Sequence, residues 1–148
     1  VSYLDVISLQ NAKVHLGVDD TSRDTEIQRM IKSSLAYLER RTNYILYDRD
    51  REYHYNNGCV RVYDFPINST TDTTHAKKVK TLYTVYNEND TNIESITLNV
   101  GYANAIDIPD DILDTGYAIL ECLFEGGKTS ELSETIEDMI NHLKRFVI

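Results

Sequence analysis

The apolar period of this chain changes twice, and those changes limit its fold more than any other feature. Between about Arg23 and Thr42, the residues Ile27, Met30, Ile31, Ser34, Leu35 and Leu38 recur at helical spacing and make one face. Asp24 and Glu26 stand in the first turn and Arg40-Arg41 in the last, the order a helix dipole favours. From Asn43 to Tyr102 the period is two, the mark of strands. Past Pro109 it becomes helical again. The order helix, helix, sheet, helix, helix is that of an α+β fold.

The flanking helices have readable ends. Ser8 precedes Leu9, Ala12 and Leu16, and Gly17 follows, so 9–16 is expected as a short first helix. Pro109 suits a first helical position, with Asp110, Asp111 and Asp114 at the positive end. That helix runs to Glu125 and stops at Gly126-Gly127. Leu113, Tyr117, Leu120, Leu123 and Phe124 form one face, while Ile112, Ala118, Ile119 and Cys122 cover most of the rest, as in a central helix. A last helix starts near Ser133, carries Ile136, Met139, Ile140 and Leu143, and leads into the apolar end Phe146-Val147-Ile148. The expectation is one domain over 1–148, with four main helices forming a helical core, a short C-terminal tail, and an inserted antiparallel β-hairpin or small sheet at about 44–102.

Within that insertion, Asn57-Gly58 suits a two-residue type I′ turn, whose central positions need positive φ. The implied hairpin sets Tyr55 opposite Val60, Tyr53 opposite Val62, His54 opposite Arg61 and Glu52 opposite Tyr63, giving an aromatic and β-branched face. The run at 68–78, NSTTDTTHAKK, reads as a polar loop. Segments 79–86 and 93–102, the latter with Ile96, Leu98, Val100 and Tyr102 on one face, read as a second antiparallel pair.

Chemistry is scarce. The four histidines, His15, His54, His75 and His142, fall on separate elements without ligand spacing, and Cys59 and Cys122 lack a Cys-x-x-Cys pattern, so neither zinc nor a disulfide framework is expected. Reduced, cytoplasmic folding is the default. The hairpin register is read as putting His54 and Cys59 on opposite faces, which excludes a nucleophile pair. Asp110-Asp111 is accounted for by the helix dipole. None of the six glycines forms a phosphate-binding loop, no stretch approaches a membrane span, and no enzyme mechanism or cofactor emerges. The net charge of −9 is uneven: residues 1–87 hold 11 acids and 12 bases, whereas 88–138 hold 13 acids and only Lys128. That acidity argues against a phosphate-gripping surface there. Seven of the 11 tyrosines lie between Tyr44 and Tyr86, where they serve equally as strand formers or as a surface for a partner protein.

Taken in order, Ser8 to Val18, Asp24, Ile27, Ile31, Tyr37-Leu38-Glu39 and Thr42, then Val100-Gly101-Tyr102, Ile108-Pro109, Asp111-Ile112, Ala118 to Phe124 and Leu143-Lys144-Arg145-Phe146, resemble the head-tail connector (adaptor) family of tailed bacteriophages. The stretch Phe124 to Gly127 departs by lacking the family's usual basic residue, and the tail lacks its proline. The resemblance implies a structural virion protein with no reaction to catalyse. Its subunits would form a ring, typically twelvefold, beneath the portal, joining capsid to tail and continuing the DNA channel. The implied partners are the portal protein, tail or further connector proteins, and other copies of the chain. DNA would pass through without sequence-specific binding, and no membrane is involved. The implied location is the virion head-tail interface, after assembly in the host cytoplasm. Tyr53, Tyr55 and Tyr63 on the hairpin, with Phe146 and Ile148 in the tail, are the candidate contacts. The alternatives are a phage head-completion or tail-terminator ring protein, a small cytoplasmic hydrolase or metal enzyme, and a DNA-packaging accessory.

Overall fold

Helices form where the apolar period is helical, and side-chain caps start three of them. The structure, a computed structural model, describes residues 2–57, 59–70, 76–79, 82–86 and 95–144. A capping box between Ser2 and Asp5 starts α1 (Tyr3–Val6), a short helix absent from the sequence expectation. Ser8 caps α2 (Leu9–Leu16) by accepting the Asn11 N–H, and Gly17 ends it at φ +70°. Next comes α3 (Asp24–Thr42), closed by Asn43 at φ +63°. Pro109 is the cap of α4 (Asp110–Phe124) rather than its first residue. Ser133 caps α5 (Glu134–Leu143) by accepting the Ile136 N–H.

The predicted face of α3 is buried along its whole length, Ser34 included, whose hydroxyl donates to the Ile31 carbonyl at 3.0 Å. Against it α4 packs differently from expectation. Its buried residues are Ile112, Thr115, Gly116, Ile119 and Leu120, while Leu113, Tyr117, Cys122, Leu123 and Phe124 are only half-buried. The reason is steric. A Cβ on Gly116 would lie 3.0 Å from Leu35 Cδ2 and 3.6 Å from Ile7 Cδ1, so the large side chains of α3 and of Ile7, just past α1, occupy the space that a bulkier face would need. With Ile140 and Leu143 of α5 these residues form the helical core. Each buried Leu or Ile there contributes about 1.5–3 kcal/mol.

Among the described residues the β region holds two three-stranded antiparallel sheets. In one, β6 (Ser95–Val100) lies between β1 (Arg49–His54) and β3 (Ile67–Thr70). In the other, β5 (Leu82–Tyr86) lies between β2 (Cys59–Val62) and β4 (Ala76–Val79). The turn at Asn57 keeps the expected register: Asn56 pairs with Cys59 through N–H···O contacts of 2.8 and 3.2 Å, and Asn57 has φ +54°. Beyond that bridge the expected hairpin ladder does not form. Tyr53 pairs with Ile96 instead of Val62, His54 with Ser95 instead of Arg61, and Val62 with Tyr83. Burial explains the split, because Ile96, Leu98 and Val100 of one sheet close a second core with Ile45 and with Val62 of the other.

Two other expectations change with it. The pairing of 79–86 with 93–102 is replaced by the arrangement above, since β5 and β6 are the centres of different sheets. The polar run 68–78 supplies most of β3 and β4, with 71–75 outside the described residues. Both are edge strands, held by backbone pairing on one side, so apolar alternation does not mark them.

Candidate functional site

The junction between helices and sheets is built around one carboxylate. Glu39, 5% exposed, sits one turn after Leu35, at the margin of the apolar stripe of α3. Its Oε1 accepts the Leu46 N–H at 2.8 Å, and its Oε2 accepts from the Tyr3 hydroxyl at 2.7 Å and from Arg49 Nη2. The Arg49 guanidinium also lies 4.3 Å over the Tyr47 ring, and Tyr3 meets Tyr47 edge-on at 5.0 Å. Burial, then the hydrogen bond to Glu39, pushes the Tyr3 hydroxyl far above the ordinary tyrosine range. Just beyond α3, Ile45 donates to Phe65 O at 2.8 Å and accepts from the Tyr102 N–H at 3.1 Å, so the chain leaving α3 is gripped from both sides. Sequence reasoning missed this joint. The available signal was an acid standing beside Leu35 and Leu38 on an otherwise apolar face.

Ion pairs fix the helices to one another. Lys13 of α2 meets Asp24 of α3 at 2.8 Å, and Arg41 of α3 holds Glu137 of α5 through contacts of 2.7 and 3.2 Å. The Arg41 contact pulls the Glu137 carboxyl below its usual range. His15 lies 3.4 Å from Glu121. Among the described residues no three His, Cys, Asp or Glu side chains converge as a metal set.

Of the five candidate contact residues, Phe146 and Ile148 lie outside the described residues. Tyr53 and Tyr55 pack at the margin of the second core, and Tyr63 is half-buried just after β2. The Tyr53 hydroxyl donates to Asp64 Oδ2 at 2.6 Å, beside Arg51 at 3.0 Å, and burial followed by that bond raises it far above its ordinary range. One exclusion is corrected: His54 and Cys59 line the same shallow concavity, with Asn56, Val60 and Arg61. With Asn56 opposite Cys59, alternation puts 54, 56, 59 and 61 on one face, not on two.

The outer flank of α4 forms a groove with α5, of about 460 Å³. Thr115, Met139 and Leu143 contribute its less exposed lining, and Asp111, Asp114 and Asp138 line it as exposed acids beside His142. Asp111 Oδ1 accepts the Ile112 N–H at 2.9 Å, and none of the three aspartates belongs to an ion pair among the described residues. Such a lining suits a cationic side chain with an aliphatic stem better than any reaction.

Residues 6–119 match the sequence profile of a family described as phage gp6-like head-tail connector protein. Two solved structures share the fold. A chain of the structure described as "Virion of native gene transfer agent (GTA) particle" is 12% identical with a TM-score of 0.75, covering 100% of this chain and 94% of that one. A chain of "Neck of empty GTA particle computed with C6 symmetry" is 10% identical with a TM-score of 0.72, covering 97% and 91%. No curated protein sequence matches.

Proposed function

This chain belongs to the phage gp6-like head-tail connector family, and on that premise we propose that it is one subunit of a ring set beneath the portal, joining capsid to tail around the DNA channel. The protein is a structural virion component and not an enzyme, as its family is; the hydrolase or metal-enzyme alternative has no place there. The observation that carries the proposal is the family match, which takes in α2, α3, the β region and most of α4. The similar chains in a gene transfer agent virion and neck support it, because their fold extends over nearly the whole of this chain.

In this reading residues 1–148 are a single connector domain, and the ring is twelvefold, assembled in the host cytoplasm from many weak contacts that add through high effective concentration. The acid-rich half, 13 acids against one base over 88–138, lets DNA pass without being held. No described helix is long and apolar enough to cross a membrane. Tyr53, Tyr55, Tyr63, Phe146 and Ile148 contact the portal or tail proteins. Electron microscopy of the protein mixed with its cognate portal tests the proposal: an added ring of density is expected, and a bare portal at saturating protein would overturn it.

A further inference from the structure

The helical layer carries opposite charges on two different sides, and we propose that these join neighbouring subunits, with a cationic row on α3 of one copy seated in the α4–α5 groove of the next. The inference rests on the ring reading above and names the contact that reading lacks.

Arg29, Lys32 and Arg40 are exposed on α3, and with Ala36 between them they follow helical spacing along one row. That row spans about 16 Å at ~1.5 Å per residue. None of the three is in an ion pair among the described residues, whereas Lys13, Arg23, Arg41 and Arg49 are each matched to a carboxylate within the chain. The unpaired cations therefore face Asp111, Asp114 and Asp138 as their complement in kind, and the 460 Å³ groove beside Met139 and Leu143 accommodates aliphatic stems.

A subunit cannot satisfy its own row. The leucines of α3 that meet α4, Leu35 and Leu38, point toward Gly116; residues 29 and 40 lie on the far side of that helix and residue 32 on its exposed flank. The groove is on the solvent flank of α4. Two complementary patches on different sides make a heterologous contact, the kind that repeats around a ring; a two-fold dimer needs a self-complementary patch instead. Exposed partners of this sort set orientation and salt sensitivity, while the apolar lining excludes water from the seated stems.

The test is charge reversal, read by electron microscopy on the cognate portal. One variant carries Arg29→Glu, Lys32→Glu and Arg40→Glu; the other carries Asp111→Lys, Asp114→Lys and Asp138→Lys. Each alone is expected to lose the ring, and an equimolar mixture is expected to restore it, because every junction then joins opposite charges as the two variants alternate. Restoration also shows that both variants fold. A ring formed by either variant alone would overturn the inference while leaving the connector reading intact. A mixture that restores nothing would overturn it too. Wild-type protein that adds no ring overturns both.

Discussion

Removing the Glu39 carboxylate leaves the Leu46 N–H, the Tyr3 hydroxyl and the Arg49 guanidinium without their common acceptor. A charge left unpaired in a nearly dry site is expensive, so Glu39→Ala is expected to destabilise the fold by about 3–5 kcal/mol. Urea denaturation would measure it, and a cost below about 1 kcal/mol would show that the joint is not held there. Tyr3 and Tyr53 give a pH signature. Their hydroxyls stay protonated in the fold well past the ordinary range, because burial and bonding to Glu39 and Asp64 disfavour the phenolate. In the unfolded chain they ionise near pH ~10. Above that pH the folded state binds more protons than the unfolded one, so stability is intact below pH ~10 and falls as pH rises. The urea midpoint should decline above pH ~10, and less steeply when Tyr3 and Tyr53 are both replaced by Phe. Equal slopes would remove these two hydroxyls as the cause.

At the scale of elements, the helices were legible and the strand partners were not. A helix satisfies its backbone within itself, so Ser8, Gly17 and Ser133 mark its ends locally. A strand's partner is chosen by burial far along the chain, and here β1 pairs with the Ile96 and Leu98 strand rather than with the nearby Val62, which joins the same core from the other sheet. The end of β6 shows how tightly that choice is held. Gly101 has φ +106°, its N–H donates to Pro66 O at 2.8 Å, and a Cβ on it would lie 2.1 Å from the Tyr47 carbonyl oxygen. Gly17 also has positive φ, +70°, but a Cβ there meets nothing within 4 Å. Gly101→Ala should therefore cost at least about 3 kcal/mol and Gly17→Ala about 1 kcal/mol. Thermal melts of the two variants would separate backbone conformation from steric collision; equal losses would mean that β6 can shift away from Tyr47.

For the whole molecule, the joint at Glu39, the Arg41–Glu137 clamp and the close approach at Gly116 tie α1, α3, α4, α5 and the start of the β region into a stiff unit. A connector needs such stiffness, since its contacts add only while their spacing is kept. The tail makes a separate prediction at this scale. Deleting residues 145–148, which removes Phe146 and Ile148, is expected to abolish docking on the portal while the urea midpoint stays unchanged. Docking at wild-type level would take those two residues out of the contact.

The sequence by itself determined the α+β class, the α3 face, the starts of the four main helices and the ends of the first three to within about two residues, and the turn register at Asn57, because each of these follows from local spacing; the family followed from the resemblance of its ordered motifs. The buried face of α4 required knowing that Leu35 and Ile7 arrive at Gly116, and a glycine gives no sign of what will approach it. The two sheets, the shared acceptor at Glu39 and the groove beside α5 were likewise decided only in three dimensions. Each depends on which distant segments share the same space, and the free energy of burial settles that choice while local preference cannot.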